Sequence, residues 1–331
     1  MQPMIKLDYY LPKNIVSNSN LLSEFPDLDV SKIEKKIGIK QRHIVEKETA
    51  LDLAYGACIK VLTDYDKSKI DFLILCTQSP DYYLPTSACI LQDRLKLSKN
   101  VGAFDFNLGC SGYIYGLAIA KGLISSGVAK NVLLATAETY SKHIHPKDKA
   151  NRAIFGDGAT ATIISAVNGN IGLGEFELGT DGSGFDKLIV KNGGFRMPVQ
   201  ADQKEYEYGS GNITSDNHLY MDGPEIFNFT IETVPDLVNR TLVKNNLNLE
   251  DIDYFIFHQA NSFMLNFLRK KLKISQDKFY NDLSETGNTV SSTIPIALKK
   301  AIKKGLIKEG DKVMLVGFGV GLSWGASIVD I

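Results

Sequence analysis

The stretch NLGCSGYIYGL (107–117) places Cys110 between Gly109 and Gly112, at a change from strand-like to helix-like sequence. A cysteine that only fills a core needs no glycines around it, whereas one that meets a bulky reactant does. The thiolate is the reactive form, and the free amides and dipole at a helix start favour it, so the spacing predicts a nucleophile with a lowered pKa. Such a sulfur needs partners. His258 directly follows the apolar run IDYFIF, in HQAN, where the end of a parallel strand presents site residues. Asn288 lies in ETGNTVSSTIPIAL, between a turn and a helical run rich in small residues. Imidazole and carboxamide both donate hydrogen bonds, which a developing enolate or oxyanion requires. The other histidines, His43, His143, His145 and His218, sit in polar contexts and are expected at the surface.

These groups need elements to hold them. VGAFDFN (101–107) has the form of a short buried strand, and the helical spacing from Ser111 ends at Gly127, a suitable helix stop. Gly112, Gly116 and Ala120 recur every four residues, and that narrow face predicts another helix packed very close. The chain also repeats itself. IDFLILCTQ (70–78) is matched by IDYFIFHQA (252–260), each an apolar run followed by a polar turn and a helical pattern. FGDGATATIISA (155–166) is matched by FGVGLSWGASIV (318–329), again at a separation of about half the chain. The order of features predicts two related α/β halves, 1–166 carrying the cysteine and 167–331 carrying the histidine and asparagine. Residues 167–222, rich in Gly, Asn, Asp and Ser, are expected to open the second half as a loop or cap.

Bulk properties narrow the function. The 331 residues are 44% hydrophobic and 23% charged, as in a globular protein with a sizeable core. Thirty-seven basic and 38 acidic residues leave a net charge of −1, so no bulk field recruits nucleic acid or an anionic membrane. The opening MQPMIKLDYYLPKN lacks the basic start and apolar run of a secretory signal, and no stretch is long and apolar enough to span a membrane. The four cysteines show no metal-type spacing, and the chain is expected to be cytoplasmic, with no metal. Cys76 and Cys89 are expected to be inert apolar fillers.

In order and spacing, GIKQRHI (38–44), YLPTSACILQDRL (83–95), GCSGYIYGL (109–117), IFGDGATA (154–161), MDGPEIF (221–227), HQAN (258–261), GNTVSSTIP (287–295) and GFGVGLSWG (317–325) are similar to the β-ketoacyl-acyl-carrier-protein synthase III family of thiolase-like condensing enzymes. The resemblance implies a duplicated five-layer α-β-α-β-α fold and a homodimer. It implies no bound cofactor, the substrates being coenzyme A or acyl-carrier-protein thioesters. Cys110 takes an acyl group from a thioester, with its own backbone amide and that of Val320 as oxyanion hole. His258 and Asn288 hold the carbonyl of a malonyl-carrier thioester, whose decarboxylation yields the attacking enolate. The resemblance also points to Gly319, Asn261 and Leu84 as substrate-binding residues, Leu84 at the acyl pocket of a partner subunit. Relatives that abstract a carbon-bound proton carry glutamate where this chain has Gln78, which cannot take one at neutral pH.

The chain also departs from the family pattern. The tryptophan that stacks on adenine falls on Lys32, an arginine near it falls on Lys36, and the position two beyond HQAN is Phe263. Stacking of a base on an aromatic ring contributes roughly 1–3 kcal/mol, so delivery of the acyl group by an acyl carrier protein gains ground over coenzyme A. Arg269, Lys270 and Lys271 form a basic cluster suited to steer an acidic carrier. The same residues leave room for a family variant that transfers the acyl group to an amine or hydroxyl, in specialised metabolism or sugar decoration. A cysteine hydrolase lacks support, because GCSGY does not carry the papain-type surroundings.

Overall fold

The computed structural model describes residues 5–331, and the side chain of Lys32 and the first four residues of the opening stretch lie outside the description. The first half of the chain runs β1 (Ile5–Tyr10), α1 (Ala50–Val61), β2 (Phe72–Cys76), α2 (Ser87–Arg94), β3 (Gly102–Phe106), α3 (Gly112–Ser125), β4 (Asn131–Glu138) and β5 (Gly158–Ser165). The second runs β6 (Glu177–Thr180), α4 (Gly223–Lys244), β7 (Tyr254–Phe257), α5 (Ser262–Lys271), α6 (Thr293–Lys303), β8 (Lys312–Gly319) and β9 (Ser323–Asp330).

The first sheet has strand order β1-β5-β4-β2-β3, with β4, β2 and β3 parallel and β5 and β1 antiparallel to their neighbours. The second has order β6-β9-β8-β7 with the same directions, and a parallel bridge from Phe255 to Phe279 occupies the fifth place. The duplication extends to side chains. Asp71, just before β2, accepts the Lys130 and Asn131 amides at the start of β4; Asp253, just before β7, accepts the Lys312 amide at the start of β8.

Alternation along the strands builds the layers. Ile74, Val132 and Leu134 face inward with Ile256, Val313 and Leu315 of the other sheet, and α3 and α6 fill the space between them through Ile114, Leu117, Ile294 and Leu298. The intervening residues Leu73, Leu75 and Leu133 meet α1 and α2, while Phe255, Phe257 and Met314 meet α4 and α5. Strands buried on both faces are continuously apolar for this reason. The result is the α-β-α-β-α sandwich.

Two local expectations change. The face of Gly112 and Gly116 packs on strands of the first sheet, because a Cβ on Gly112 would lie 2.3 Å from Cys76 Sγ and one on Gly116 2.7 Å from Leu134 Cδ1. A spacing of four marks a close approach without naming what approaches. Residues 167–222 include β6, which forms the edge of the second sheet, and two small antiparallel pairs, Leu188–Val190 with Leu219–Met221 and Tyr206–Tyr208 with Asn212–Thr214. Gly127 does follow the end of α3, in the left-handed conformation with φ 75°. Among the described residues no helix is long and apolar enough to cross a membrane.

Candidate active site

Cys110 lies two residues before α3 and is 6% exposed. Ser111, the residue before the helix, makes no cap with its side chain and bonds instead to Ser323 Oγ at 2.7 Å. The backbone amides of Cys110 and Val320 both lie near enough to the sulfur to favour its thiolate. The close approach of β8 makes this possible, since a Cβ on Gly319 would lie 2.8 Å from Cys110 Sγ and one on Gly317 2.9 Å from Ser111 Cα. Any larger residue at Gly319 would occupy the position of the sulfur.

The thiol is pushed up to about 12, chiefly by burial and secondly by the charge of Glu138, against the pull of the two amides. This corrects the expectation of a lowered pKa. Helix-start spacing identifies the amides, but burial, which spacing does not report, outweighs them. Gly109 and Gly112 serve close packing, with the Gln78 amide oxygen 2.6 Å from a Cβ placed on Gly109 and Cys76 Sγ 2.3 Å from one placed on Gly112.

His258 follows β7 and Asn288 precedes the turn into α6, so both come from the second half. Asn288 Oδ1 accepts the Val290 amide at 2.8 Å, which fixes the carboxamide and leaves its Nδ2 3.5 Å from His258 Nε2. Val290 has φ 55°, a conformation that a β-branched residue adopts only under constraint. Phe318 of β8 meets the His258 ring edge-on at 5.6 Å, and Val290 packs in the cluster around Cys110. Burial lowers His258 to about 3, so the ring is neutral throughout the working range.

His258 Nδ1 lies 2.7 Å from Thr293 Oγ1, which is also 3.0 Å from Val290 O. A hydroxyl has one proton to give. Directed at Val290 O, it leaves the imidazole proton on Nδ1 and lets Nε2 accept from Asn288. Turned to Nδ1, it leaves the proton on Nε2. Two N–H donors then face each other, an arrangement that an oxygen acceptor placed between them would satisfy.

The structure adds a residue that spacing did not single out. Glu138 ends β4 fully buried, accepting from the Gln78 amide, from Ser79 Oγ at 3.4 Å and from Ser291 Oγ at 2.9 Å. Burial raises it to about 8. The signal available in the sequence is a lone carboxylate ending the otherwise apolar run NVLLATAE.

The remaining expected residues divide. Lys36, Phe263 and Lys270 line one hollow of about 260 Å³ with Lys35 and Phe267. They meet because Gly38, at φ 77°, brings its backbone against Ser262 at the start of α5. Phe263 stacks on Phe227 at 5.5 Å. Asn261 caps α5 by accepting the Met264 amide at 2.9 Å. Arg269 turns back to Ile274 O and Lys271 reaches Ile231 O, so Lys270 is the member of that cluster facing the hollow. Leu84 is 86% exposed. Trp324 packs on Phe229, outside the hollow.

Several minor expectations are corrected. None of the other four histidines is exposed: His145 is buried against Glu205 and His218, and His143 lines a cavity that adjoins the cluster around Cys110. Cys89 is exposed, since it falls on the outward face of α2, while Cys76 is buried. Among the described residues no group of three or more His, Cys, Asp or Glu is placed to hold a metal.

Two similar sheets around a shared helical layer, with a cysteine from one half and a His–Asn pair from the other, define the thiolase-like class. Residues 104–182 match the family described as 3-oxoacyl-[acyl-carrier-protein (ACP)] synthase III, and residues 242–331 match its C-terminal part. The chain is 38% identical over 330 residues to β-ketoacyl-[acyl-carrier-protein] synthase III of Clostridium perfringens, covering 99% of this chain and 98% of that one. It is also 38% identical over 323 residues to the same-named protein of Caldanaerobacter subterraneus, covering 97% and 95%. A solved 3-oxoacyl-(acyl-carrier-protein) synthase III superposes with TM-score 0.96 at 47% identity, over 99% of this chain and 100% of the other. The 3-oxoacyl-(acyl-carrier protein) synthase of Burkholderia xenovorans gives 0.91 at 37%, over 98% and 93%. The chain belongs to the β-ketoacyl-[acyl-carrier-protein] synthase III family.

Proposed function

We propose that this chain loads an acyl group on Cys110 and condenses it, with loss of CO₂, with a malonyl thioester carried by acyl carrier protein. The observation that carries the reading is the pair of backbone N–H groups, from Cys110 and Val320, beside a sulfur that no side chain at Gly319 obstructs. In the first step the sulfur attacks the thioester carbonyl, the oxyanion is held by the two amides, and the C–S bond to the carrier breaks. The Cys110 proton leaves with the departing thiolate, which suits a thiol held at about 12 and protonated at rest.

In the second step the malonyl thioester oxygen enters between His258 Nε2 and Asn288 Nδ2. Cleavage of the bond to the carboxylate releases CO₂ and leaves its electron pair in the enolate, whose oxygen takes both donors. The enolate carbon attacks the acyl carbonyl, the same two amides hold the new oxyanion, and collapse expels Cys110 thiolate, which regains a proton. No base removes a proton from carbon, in keeping with Gln78 and with a histidine too buried to be protonated at neutral pH.

Two partners fit this reading. Lys35, Lys36 and Lys270 around the exposed Phe263 suit an acidic carrier protein and the phosphate of its prosthetic arm. Tyr82, Tyr83, Leu84, Phe195 and Val199 leave an exposed apolar surface beside the larger cavity, which a second copy of the chain would cover. The halves meet at about residue 166. Intact-protein mass spectrometry with acyl-coenzyme A and acyl-carrier thioesters, then malonyl-carrier, tests the sequence of steps. An acyl adduct that disappears with release of CO₂ is expected on the native chain and none on Cys110→Ser; an adduct persisting on the serine variant would refute the assignment.

A further inference from the structure

A cavity of about 820 Å³ adjoins the cluster packed around Cys110, with Tyr140, Leu188, Leu219 and Val320 belonging both to its lining and to that cluster. A pocket for a plain alkyl chain would be apolar throughout. This one has a polar wall. Gln78, Asn107 and Tyr140 each follow closely on the C-terminal end of a parallel strand, β2, β3 and β4, the edge where open α/β sheets place ligands.

The three are joined. Tyr140 Oη–H donates to Gln78 Oε1, and Gln78 Nε2–H donates to Asn107 Oδ1 at 3.0 Å. The backbone is shaped to admit them, because a side chain on Gly109 would collide with Gln78 Oε1 at 2.6 Å. Among the described residues, these bonds use one of the four amide hydrogens on Gln78 and Asn107. The others remain for a guest. The lining contains one carboxylate, Asp81, and neither lysine nor arginine, so it does not favour a second carboxylate on the acyl chain. The cavity's histidine, His143, is held below its ordinary pKa by burial and adds no positive charge at neutral pH.

We propose that the acyl group loaded on Cys110 carries a neutral hydroxyl or oxo substituent close to the thioester, recognised by the Gln78–Asn107–Tyr140 chain. The inference rests on the condensing reading above and specifies its acyl substrate. Hydrogen bonds of this kind, made in a pocket whose polar groups already satisfy one another in part, are expected to give about tenfold discrimination.

The test uses the full chain and measures the rate of Cys110 acylation by intact mass. Butyryl, 3-hydroxybutyryl, acetoacetyl and succinyl thioesters are each offered on coenzyme A and on carrier protein. Faster loading of the hydroxy or oxo acyl group than of butyryl, by about tenfold, is expected, with succinyl slowest. Gln78→Leu should bring the hydroxybutyryl-to-butyryl ratio to about one, and Asn107→Ala, at an exposed position, makes the same comparison if the first variant does not fold. Butyryl loading as fast as its hydroxy analogue on the native chain, or a ratio unmoved by both substitutions, would overturn the inference and leave the condensing reading standing. Failure of every thioester to acylate Cys110 would overturn both.

Discussion

Replacing Glu138 by glutamine should remove a pH dependence of stability that the native chain carries. The carboxyl ends β4 in full burial, and its value rises from the ordinary 4.5 to about 8. Below pH 4.5 the folded and unfolded chains both hold the proton. Between 4.5 and 8 the unfolded chain releases it while the folded chain keeps it, so the folded state is disfavoured increasingly as pH rises. The interval is 8 − 4.5 = 3.5, and at about 1.4 kcal/mol for each pH unit the loss is on the order of 5 kcal/mol. Glutamine has the shape of the protonated acid, offers one acceptor and one donor side, and does not titrate. Urea unfolding of both proteins from pH 5 to 9 gives the comparison, read as the slope of the difference, because any fixed cost of the substitution cancels. The native-minus-variant difference should fall steadily to about pH 8 and then level. Parallel curves would refute the assignment of a raised Glu138 pKa. A second readout is linked to it. The Glu138 charge helps to raise the Cys110 thiol, so alkylation of Cys110 should be faster in Glu138→Gln at pH 9 and unchanged at pH 6.

Asn288→Ala should spare acylation of Cys110 but slow malonyl decarboxylation by about 10²–10³-fold, the effect of losing one oxyanion donor; equal losses in radiolabelled acyl loading and CO₂ release would contradict that division. Thr293→Val keeps the shape of the side chain but offers no hydroxyl to His258 Nδ1, and decarboxylation should drop by about tenfold or more with acyl loading retained. Charge reversal at Lys36 and Lys270 together should weaken carrier-protein binding more at low salt than at high salt, and titration calorimetry at two ionic strengths would expose an unchanged affinity.

The parts legible in the sequence are those written as periodicity or as unusual neighbours. IDFLILC and IDYFIF announce two buried strands because both faces need apolar side chains, and the structure places them at equivalent positions in the two sheets. Cys110, His258 and Asn288 stand out because each sits in the short connection beside the end or start of an element. The missing parts depend on depth and on distant pairing. Burial reverses the expected direction of the Cys110 pKa, and no local pattern measures burial. The glycine face of α3 records a close approach, but a strand and a helix leave the same mark there. Arg269 looks available within a run of basic residues, yet its guanidinium is committed to Ile274 O by the chain's return after α5. Glu138 is conspicuous once two separate segments, at Gln78–Ser79 and at Ser291, are seen to converge on it.

The central layer bears on how such a chain could arise. α3 and α6 are each enclosed by strands from both sheets, so a single repeat on its own would present a bare helix and the inner face of its sheet to water. A one-copy ancestor could cover that surface only by pairing with itself, which would give two equivalent sites related by a dyad. Joining the copies in one polypeptide converts that contact into interior and frees each from the need to be identical. His258, directly after β7, stands where the first copy has Cys76 at the end of β2, and under the proposed function the divergence of those two positions lets a single cleft combine a nucleophile with the donors that serve it.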